Sequence, residues 1–222
     1  MITDKNYATP NEVSENLSIS LDKPIVLFTQ HSVTTEFDKA EMQVIPSLEA
    51  LARLAEEDAQ IILTYPNNDA GSDQIIRALN KYHHKNNVQL HKSLGRYLYH
   101  GVLALALNKE IKIVCVGNSS SGLKETPAFK CPTVNIGSRQ DGRLRGFNVL
   151  TTDYNESEIR KAILTCLFDK SFREICRTSH NPYGIGDAGS KIADVLREVT
   201  LDESLLRKKM MLKGEVKDGW YR

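Results

Sequence analysis

Apolar segments of two kinds alternate along the chain. Short runs rich in β-branched residues, such as PIVLFT at 24–29 and IKIVCV at 111–116, are typical of strands buried inside a parallel sheet. Longer segments with apolar residues every three or four positions are typical of helices that bury one face. The pattern predicts strands at 24–29, 60–65, 88–90, 111–116, 133–136 and 148–150, and helices at 39–57, 73–82, 95–107, 156–167, 170–178 and 188–199.

This alternation predicts an α/β fold, a single Rossmann-like, doubly wound parallel sheet with helices on both faces. We expect a linker or remnant at 1–20, the Rossmann-like domain at 21–200 and a charged carboxyl-terminal tail at 201–222. Ligands of such sheets bind outside the carboxyl ends of the strands. The polar loops that follow strands should therefore converge at one edge of the sheet; these loops are 31–36, 66–72, 117–122 and 137–139.

The stretch from residue 111 to 139 carries the most specific candidate chemistry. The small-residue run GNSSSG at 117–122 lets a backbone approach a ligand and then begins a short helix, which Asn118 or one of the serines could cap. Unpaired N–H groups and the macrodipole at a helix start favour a bound anion, and phosphate is the usual one. Such loops also occur simply as tight turns, so GNSSSG alone leaves both interpretations open.

Two charged residues strengthen the phosphate interpretation. Glu125 lies four residues after Ser121, so the two share a helix face, where a carboxylate could accept hydrogen bonds from ribose hydroxyls. Arg139 follows the strand at 133–136 and supplies a permanent, fork-shaped cation. Each is, taken alone, typical of a solvated surface position. Their order after GNSSSG suggests a nucleoside-diphosphate site.

Three further polar residues extend the candidate site. His31 follows the strand at 24–29 and could donate to a phosphate or act as an acid or base near neutral pH; a histidine bonded within its loop is the alternative. Asn68 could contact a sugar or base, although Asn-Asn-Asp is also ordinary turn chemistry. Arg143 could extend the anion site or be solvated. Tyr99 is interpreted as a packing residue, and His100 as structural or exposed.

The composition narrows the class of protein. Among 222 residues, 41% are hydrophobic and 26% charged, which is ordinary for a soluble globular protein. A formal net charge of +1 gives no electrostatic case for a nucleic-acid or anionic-membrane partner. The four cysteines lack metal-binding spacing and fit free thiols in a reducing cytosol. No apolar run approaches the ~18 residues of a membrane span, and no signal-peptide core is evident. We therefore expect a cytoplasmic protein. We also expect no metal and no other cofactor.

Several ordered motifs resemble those of the hydrolysing UDP-N-acetylglucosamine 2-epimerases, which open sialic-acid-type sugar pathways. The matching segments are TQHSVTTE (29–36), PNNDAGS (66–72), GNSSSGLKE (117–125), NIGSRQDGR (135–143) and NPYGIG (181–186). The resemblance implies one half of a two-domain, GT-B-like fold with a UDP-sugar in the cleft. It also implies loss of UDP with proton abstraction at C2, followed by addition of water, which gives the 2-epimeric N-acetyl sugar and free UDP.

The resemblance further implies roles for individual residues. It assigns His31 as the candidate catalytic residue, lining the sugar–phosphate site, and Glu125 as the ligand of the ribose. It also assigns substrate binding to Asn68, Ser119, Ser120, Gly122 and Arg139, and the residue pattern adds Ser121 and Arg143 to this candidate set.

The chain also departs from the family. It matches only the carboxyl-terminal domain, and the amino-terminal domain, which in the family supplies the acids that move protons at the sugar, has no match. Ser32 replaces the usual proline, the segment 101–113 is longer, and 201–222 has no counterpart. We therefore expect a UDP-binding half that is active only with a complementary amino-terminal domain, which could be a separate subunit or part of a longer chain; a homo-oligomer is a further possible partner. The alternatives are a non-catalytic UDP-sugar-binding module and a degenerate fragment without a ligand.

Overall fold

The computed structural model describes residues 5–207, 216–217 and 220–221. The described residues divide into two compact units, one ending at Ile185 and one beginning at Gly186. The division lies before residue 200, where the sequence pattern ends the Rossmann-like domain.

A six-stranded parallel sheet forms the centre of the first unit. Its strands run in the order β3-β2-β1-β4-β5-β6, so the chain order reverses between β1 and β4. This arrangement confirms the predicted Rossmann-like sheet. The strands are β1 (Ile25–Thr29), β2 (Gln60–Thr64), β3 (Val88–His91), β4 (Ile113–Gly117), β5 (Thr133–Ile136) and β6 (Val149–Thr152).

Helices cover both faces of this sheet. One apolar core lies under α2, α3 and α6, and a second lies under α1 and α4 on the opposite face. The helices of the first unit are α1 (Pro10–Leu17), α2 (Ala40–Glu56), α3 (Ser72–Tyr82), α4 (Gly95–Ala104), α5 (Ser121–Lys124), α6 (Glu156–Phe168) and α7 (Lys170–Thr178), with 3-10 helices at Thr34–Lys39 and Leu105–Leu107. The predicted helix at 95–107 is thus α4 followed directly by a 3-10 helix.

The described residues of the second unit form two helices and a small antiparallel pair of strands. These are α8 (Ala188–Glu198), α9 (Glu203–Leu206), β7 (Val216–Lys217) and β8 (Trp220–Tyr221). Among the helices that the structure describes, none is long and apolar enough to cross a membrane. All four cysteines are buried free thiols.

Part of the segment predicted as a linker or remnant is folded into the core. Thr9 caps α1, where Thr9 and Glu12 form a reciprocal capping box ahead of the helix interior. Val13 and Leu17 are buried with residues of α4. Because only two apolar positions face inward, the hydrophobic pattern is too sparse to indicate a helix. The T-P-N-E sequence, with proline at the first helical position, was the available indication.

The packing of α1 gives a stability prediction. Leu17→Ala should lower the free energy of unfolding by about 2–5 kcal/mol, because it leaves a cavity at a fully enclosed position. Chemical denaturation measures this change, with Glu15→Ala on the exposed face of the same helix as the control. An unchanged denaturation midpoint for Leu17→Ala would show that residues 1–20 behave as a linker.

Candidate functional site

The candidate site lies where the chain order of the sheet reverses, at the carboxyl ends of β1 and β4. Ligands of doubly wound sheets bind in the crevice at this point. The loop after β1 carries His31, the loop after β4 carries Ser119, and the loop after β5 carries Arg139. The loop after β2 joins them through Asn67, as described below. The predicted convergence of four loops at one edge is therefore confirmed.

Gly117 allows β4 to end directly beside β1. It pairs with Thr29 and has a φ of +124°, in the region that side chains rarely adopt. A Cβ atom at this position would lie 2.0 Å from the carbonyl oxygen of Thr29. Only glycine fits here, so the first residue of GNSSSG brings the two loops together.

The ring of His31 is held in one orientation at the edge of the sheet. Its Nδ1 accepts a hydrogen bond of 2.9 Å from the backbone N–H of Asn67. The proton of the neutral ring therefore lies on Nε2. Burial, followed by the nearby Arg139 cation, lowers the pKa of His31 to about 4. At neutral pH His31 is thus an uncharged hydrogen-bond donor through Nε2, and this arrangement favours donation to a ligand over proton abstraction.

Asn118 links the loops after β1, β4 and β5. Its Oδ1 accepts from the backbone N–H of His31 at 2.7 Å, and its Nδ2 donates to the carbonyl of His31 at 2.8 Å. Its own carbonyl oxygen accepts from Gln140 Nε2 at 2.7 Å and from Arg139 Nη1 at 3.2 Å. Asn118 itself is 1% exposed.

Of the two expected caps of the short helix, Asn118 is wrong, whereas a serine does occupy the N-cap position and Ser119 Oγ lies 3.5 Å from the first helical N–H, that of Ser121. The N-cap position is Ser120, which makes no side-chain capping bond, and the Asn118 amide is used on His31 instead. The helix α5 is one turn long, so its macrodipole is small compared with that of a longer helix. Within the described part of the chain, the backbone N–H groups of Ser119 and Ser120 have no partner. Two N–H groups therefore remain available to an anion.

Two adjacent residues of α4 support the loop from the side. The Tyr99 hydroxyl lies 2.6 Å from Ser121 Oγ, which in turn donates to Ser119 Oγ at 3.1 Å. The neighbouring His100 is buried, and its Nε2 lies 3.1 Å from Glu125 Oε2. Sequence reasoning treated Tyr99 and His100 as structural and missed these contacts. The available indication was an adjacent Tyr-His pair in a helix that is apolar on most faces, since buried polar groups require partners.

Several of the side chains described above line an open cavity of about 340 Å³. Its volume lies within the range of small-molecule sites. Of the residues predicted for the site, the cavity is lined by His31, Ser119, Ser121 and Glu125. The remaining wall comes from β1, β2, the loop after β3 and α4: Thr29, Thr64, Tyr65, Lys92, Ser93, Leu94, Gly95, Arg96, Tyr99 and His100.

Other predicted residues lie outside the cavity wall. Asn68 is exposed, whereas its neighbours Asn67 and Asp69 make the contacts with His31 and with Arg139; Asp69 Oδ2 lies 3.6 Å from Arg139 Nη2. Asn68 and these neighbours are equivalent as turn formers, so the sequence could not distinguish them.

The rest of the predicted set has supporting or peripheral positions. Ser120 is partly exposed beside Ser119, Gly122 is buried in α5, and Arg139 is partly buried behind Asn118. Arg143 is exposed on its loop. The described residues contain no group of three or more histidine, cysteine, aspartate or glutamate side chains placed to hold a metal ion.

Comparison with known proteins shows what this chain is similar to. The family model described as UDP-N-acetylglucosamine 2-epimerase matches residues 1–197. The GDP/UDP-N,N'-diacetylbacillosamine 2-epimerase (hydrolyzing) of Campylobacter jejuni is 34% identical over 158 residues, which are 70% of this chain and 39% of that protein. The UDP-N,N'-diacetylbacillosamine 2-epimerase (hydrolyzing) of Legionella pneumophila is 30% identical over 201 residues, 90% of this chain and 50% of that protein. The chain thus spans half the length of these curated relatives or less.

A solved structure supports the fold. The UDP-GlcNAc 2-epimerase of Neisseria meningitidis, crystallised with UDP-GlcNAc, superimposes with a TM-score of 0.65 at 15% identity. The match covers 85% of this chain and 49% of that one. At this identity the shared property is the fold.

The environment of His31 gives a prediction for its titration. Nitrogen-15 NMR of the ring, assigned by comparison with His31→Gln, should show the Nε2–H tautomer at neutral pH and a midpoint of about 4. Arg139→Gln should raise the pKa of His31, because it removes a facing cation. The pKa of His31 is lower in the folded state than in the unfolded chain, where it is about 6.5. The contribution of His31 to the free energy of unfolding should therefore be complete above pH 6.5. It should be lost as the pH falls from 6.5 to 4, by at most about 3 kcal/mol.

His31→Gln should lose this part of the pH dependence. A ring that titrates near pH 6.5 would show instead that His31 is solvated and that the Asn67 contact does not form.

Proposed function

The chain belongs to the UDP-N-acetylglucosamine 2-epimerase family, and from that premise we propose that its cavity binds the UDP portion of a UDP-sugar. The observation that supports this proposal most directly is that one cavity is lined by the His31 ring, the Ser119 and Ser121 hydroxyls and the Glu125 carboxylate. A nucleoside diphosphate requires hydrogen-bond donors for its phosphate oxygens and an acceptor for its ribose hydroxyls, and this cavity offers both.

The diphosphate would lie against the loop after β4. The Ser119 hydroxyl, which accepts from Ser121, and the two available backbone N–H groups can donate to its oxygens, with Arg139 as a nearby cation. The Nε2–H of His31 can donate to the phosphate on the sugar side. Charge accumulates on UDP as its bond to the sugar breaks, so donors that strengthen at that moment lower the barrier.

The ribose would lie against Glu125. A carboxylate accepts hydrogen bonds from two adjacent hydroxyl groups, and the contact with His100 Nε2 holds it in one orientation. The remaining wall near Lys92 and Ser93 would then face the base.

The proposed reaction is that of a hydrolysing 2-epimerase. UDP leaves C1 as a base removes the proton at C2, and water then adds to the unsaturated intermediate to give the 2-epimeric sugar and free UDP. Glu125 is the one carboxylate among the residues that line the cavity, and we propose that it is occupied with the ribose. We therefore propose that the base comes from a complementary domain, and that the isolated chain binds without turnover.

The proposed substrates are UDP-linked 2-acetamido sugars. The names of the Campylobacter and Legionella relatives specify N,N'-diacetylbacillosamine nucleotides, and the Neisseria structure holds UDP-GlcNAc. The product would feed sialic-acid-type sugar synthesis. Four buried free thiols support a reducing compartment such as the cytoplasm.

Calorimetry with UDP tests the binding site. We expect saturable binding at or below millimolar UDP, weakened about tenfold or more by Glu125→Gln, because a charged acceptor typically contributes about 1.5–3 kcal/mol. The matched control is Glu174→Gln on α7, whose side chain lines a separate hollow. Absence of heat at millimolar UDP, or equal weakening by both variants, would contradict the proposed site.

A turnover assay separates the enzyme from a non-catalytic binding module. With UDP-GlcNAc or UDP-N,N'-diacetylbacillosamine, the chain alone should release no UDP. Addition of a separately produced amino-terminal domain from a family member should give both UDP and the 2-epimeric sugar, which chromatography and proton NMR detect. UDP binding without turnover in the mixture would favour the binding module.

A further inference from the structure

We propose that Asn118 is the positioning residue of this site: its side chain places His31 and its carbonyl places Arg139, although Asn118 does not line the cavity. The inference depends on the proposed function only for its ligand measurement. Its structural part concerns His31 and can be tested without UDP.

The side chain of Asn118 extends the bonding between β1 and β4 beyond the sheet. The last paired residues are Thr29 and Gly117, and the Asn118 N–H still donates to the Thr29 carbonyl at 3.2 Å. Beyond this point the backbone turns into the serine loop. The Asn118 amide then makes the two reciprocal bonds with the His31 backbone that a neighbouring strand would otherwise make.

The carbonyl of Asn118 anchors the loop after β5 in the same way. Gln140 is fully buried, and its Nε2 donates to this carbonyl, as does Arg139 Nη1. Arg139 in turn faces Asp69 on the loop after β2. One residue therefore connects, directly or through one partner, all four loops at this edge of the sheet.

The chemistry of this position favours asparagine. The His31 backbone offers one donor and one acceptor, and a primary amide supplies the complementary pair at the right reach. Aspartate has the same shape but would place a buried carboxylate oxygen against the His31 carbonyl. Leucine has a similar shape and would leave both His31 groups without partners, at a cost of about 1–3 kcal/mol each.

The consequence concerns the His31 ring. When the His31 backbone is free to move, the bond from the Asn67 N–H to Nδ1 weakens, because it depends on the distance between two loops. The ring then no longer has a fixed tautomer. The donor that we assign to the sugar-side phosphate becomes a mixture of donor and acceptor forms.

The test compares Asn118→Leu and Asn118→Asp with the intact chain by nitrogen-15 NMR of the His31 ring and by UDP calorimetry. We expect both variants, folded by circular dichroism, to lose the single Nε2–H tautomer and to bind UDP at least tenfold more weakly. Asn118→Leu is the decisive variant, because it adds no charge beside Arg139 and Asp69, the charged residues that act on His31. Asn80→Asp is the control, since Asn80 donates to a helix carbonyl on an exposed face.

The outcomes are distinguishable. A folded Asn118→Leu variant with an unchanged His31 tautomer would overturn the proposal, whatever its UDP affinity. If the intact chain does not bind UDP but the Asn118 variants lose the Nε2–H tautomer of His31, the positioning role is supported and the proposed function is refuted. If neither variant folds, the test is hydrogen exchange of the Asn118 side-chain amide protons in the intact chain. Slow exchange with solvent would support the bonds to His31, and fast exchange would overturn the proposal.

Discussion

The close approach of β1 and β4 at Thr29 and Gly117 is the constraint on which the candidate site depends. A 2.0 Å separation between a hypothetical Cβ and the Thr29 oxygen leaves no space for a side chain. Because the two backbones lie so close, the residues that follow them emerge side by side. The Asn118 amide can then bond to the His31 backbone, and the serine loop lies beside the His31 ring. A wider separation would remove each of these contacts together.

Two of the polar groups in the cavity wall, those of His31 and Ser121, are neutral and are held in place by hydrogen bonds. His31 is uncharged at neutral pH because of its burial and the Arg139 cation, and its free nitrogen is a donor. Ser121 is held by Tyr99, whose burial raises the pKa of its hydroxyl and keeps it protonated. Such preorganised groups need not reorient when charge develops on a leaving group. Under the proposed function, these groups would stabilise a departing phosphate, and proton removal from the sugar would be a separate task.

Local patterns predicted the fold well, and the long-range polar contacts poorly. The strand at 133–136 coincides with β5, which is buried along its whole length, and the helix at 170–178 coincides with α7, whose first turn Asp169 caps. The helix α1 was missed since it buries few apolar residues. The motif order located His31, Ser119 and Glu125 in one cavity. The pairing of His100 with Glu125, 25 residues apart, and the use of the Asn118 side chain on His31, 87 residues away, depend on tertiary packing that no local pattern records.

The most direct test of the central claim is a map of amide shifts in nitrogen-15-labelled protein titrated with UDP. We expect saturable changes that are largest at Ser119, Ser120 and Ser121, with matching changes at His31 and Glu125. These residues lie together at the carboxyl ends of β1 and β4. Saturable changes confined to the hollow lined by Lys130 and Arg173, or no changes at millimolar UDP, would contradict the proposed UDP site.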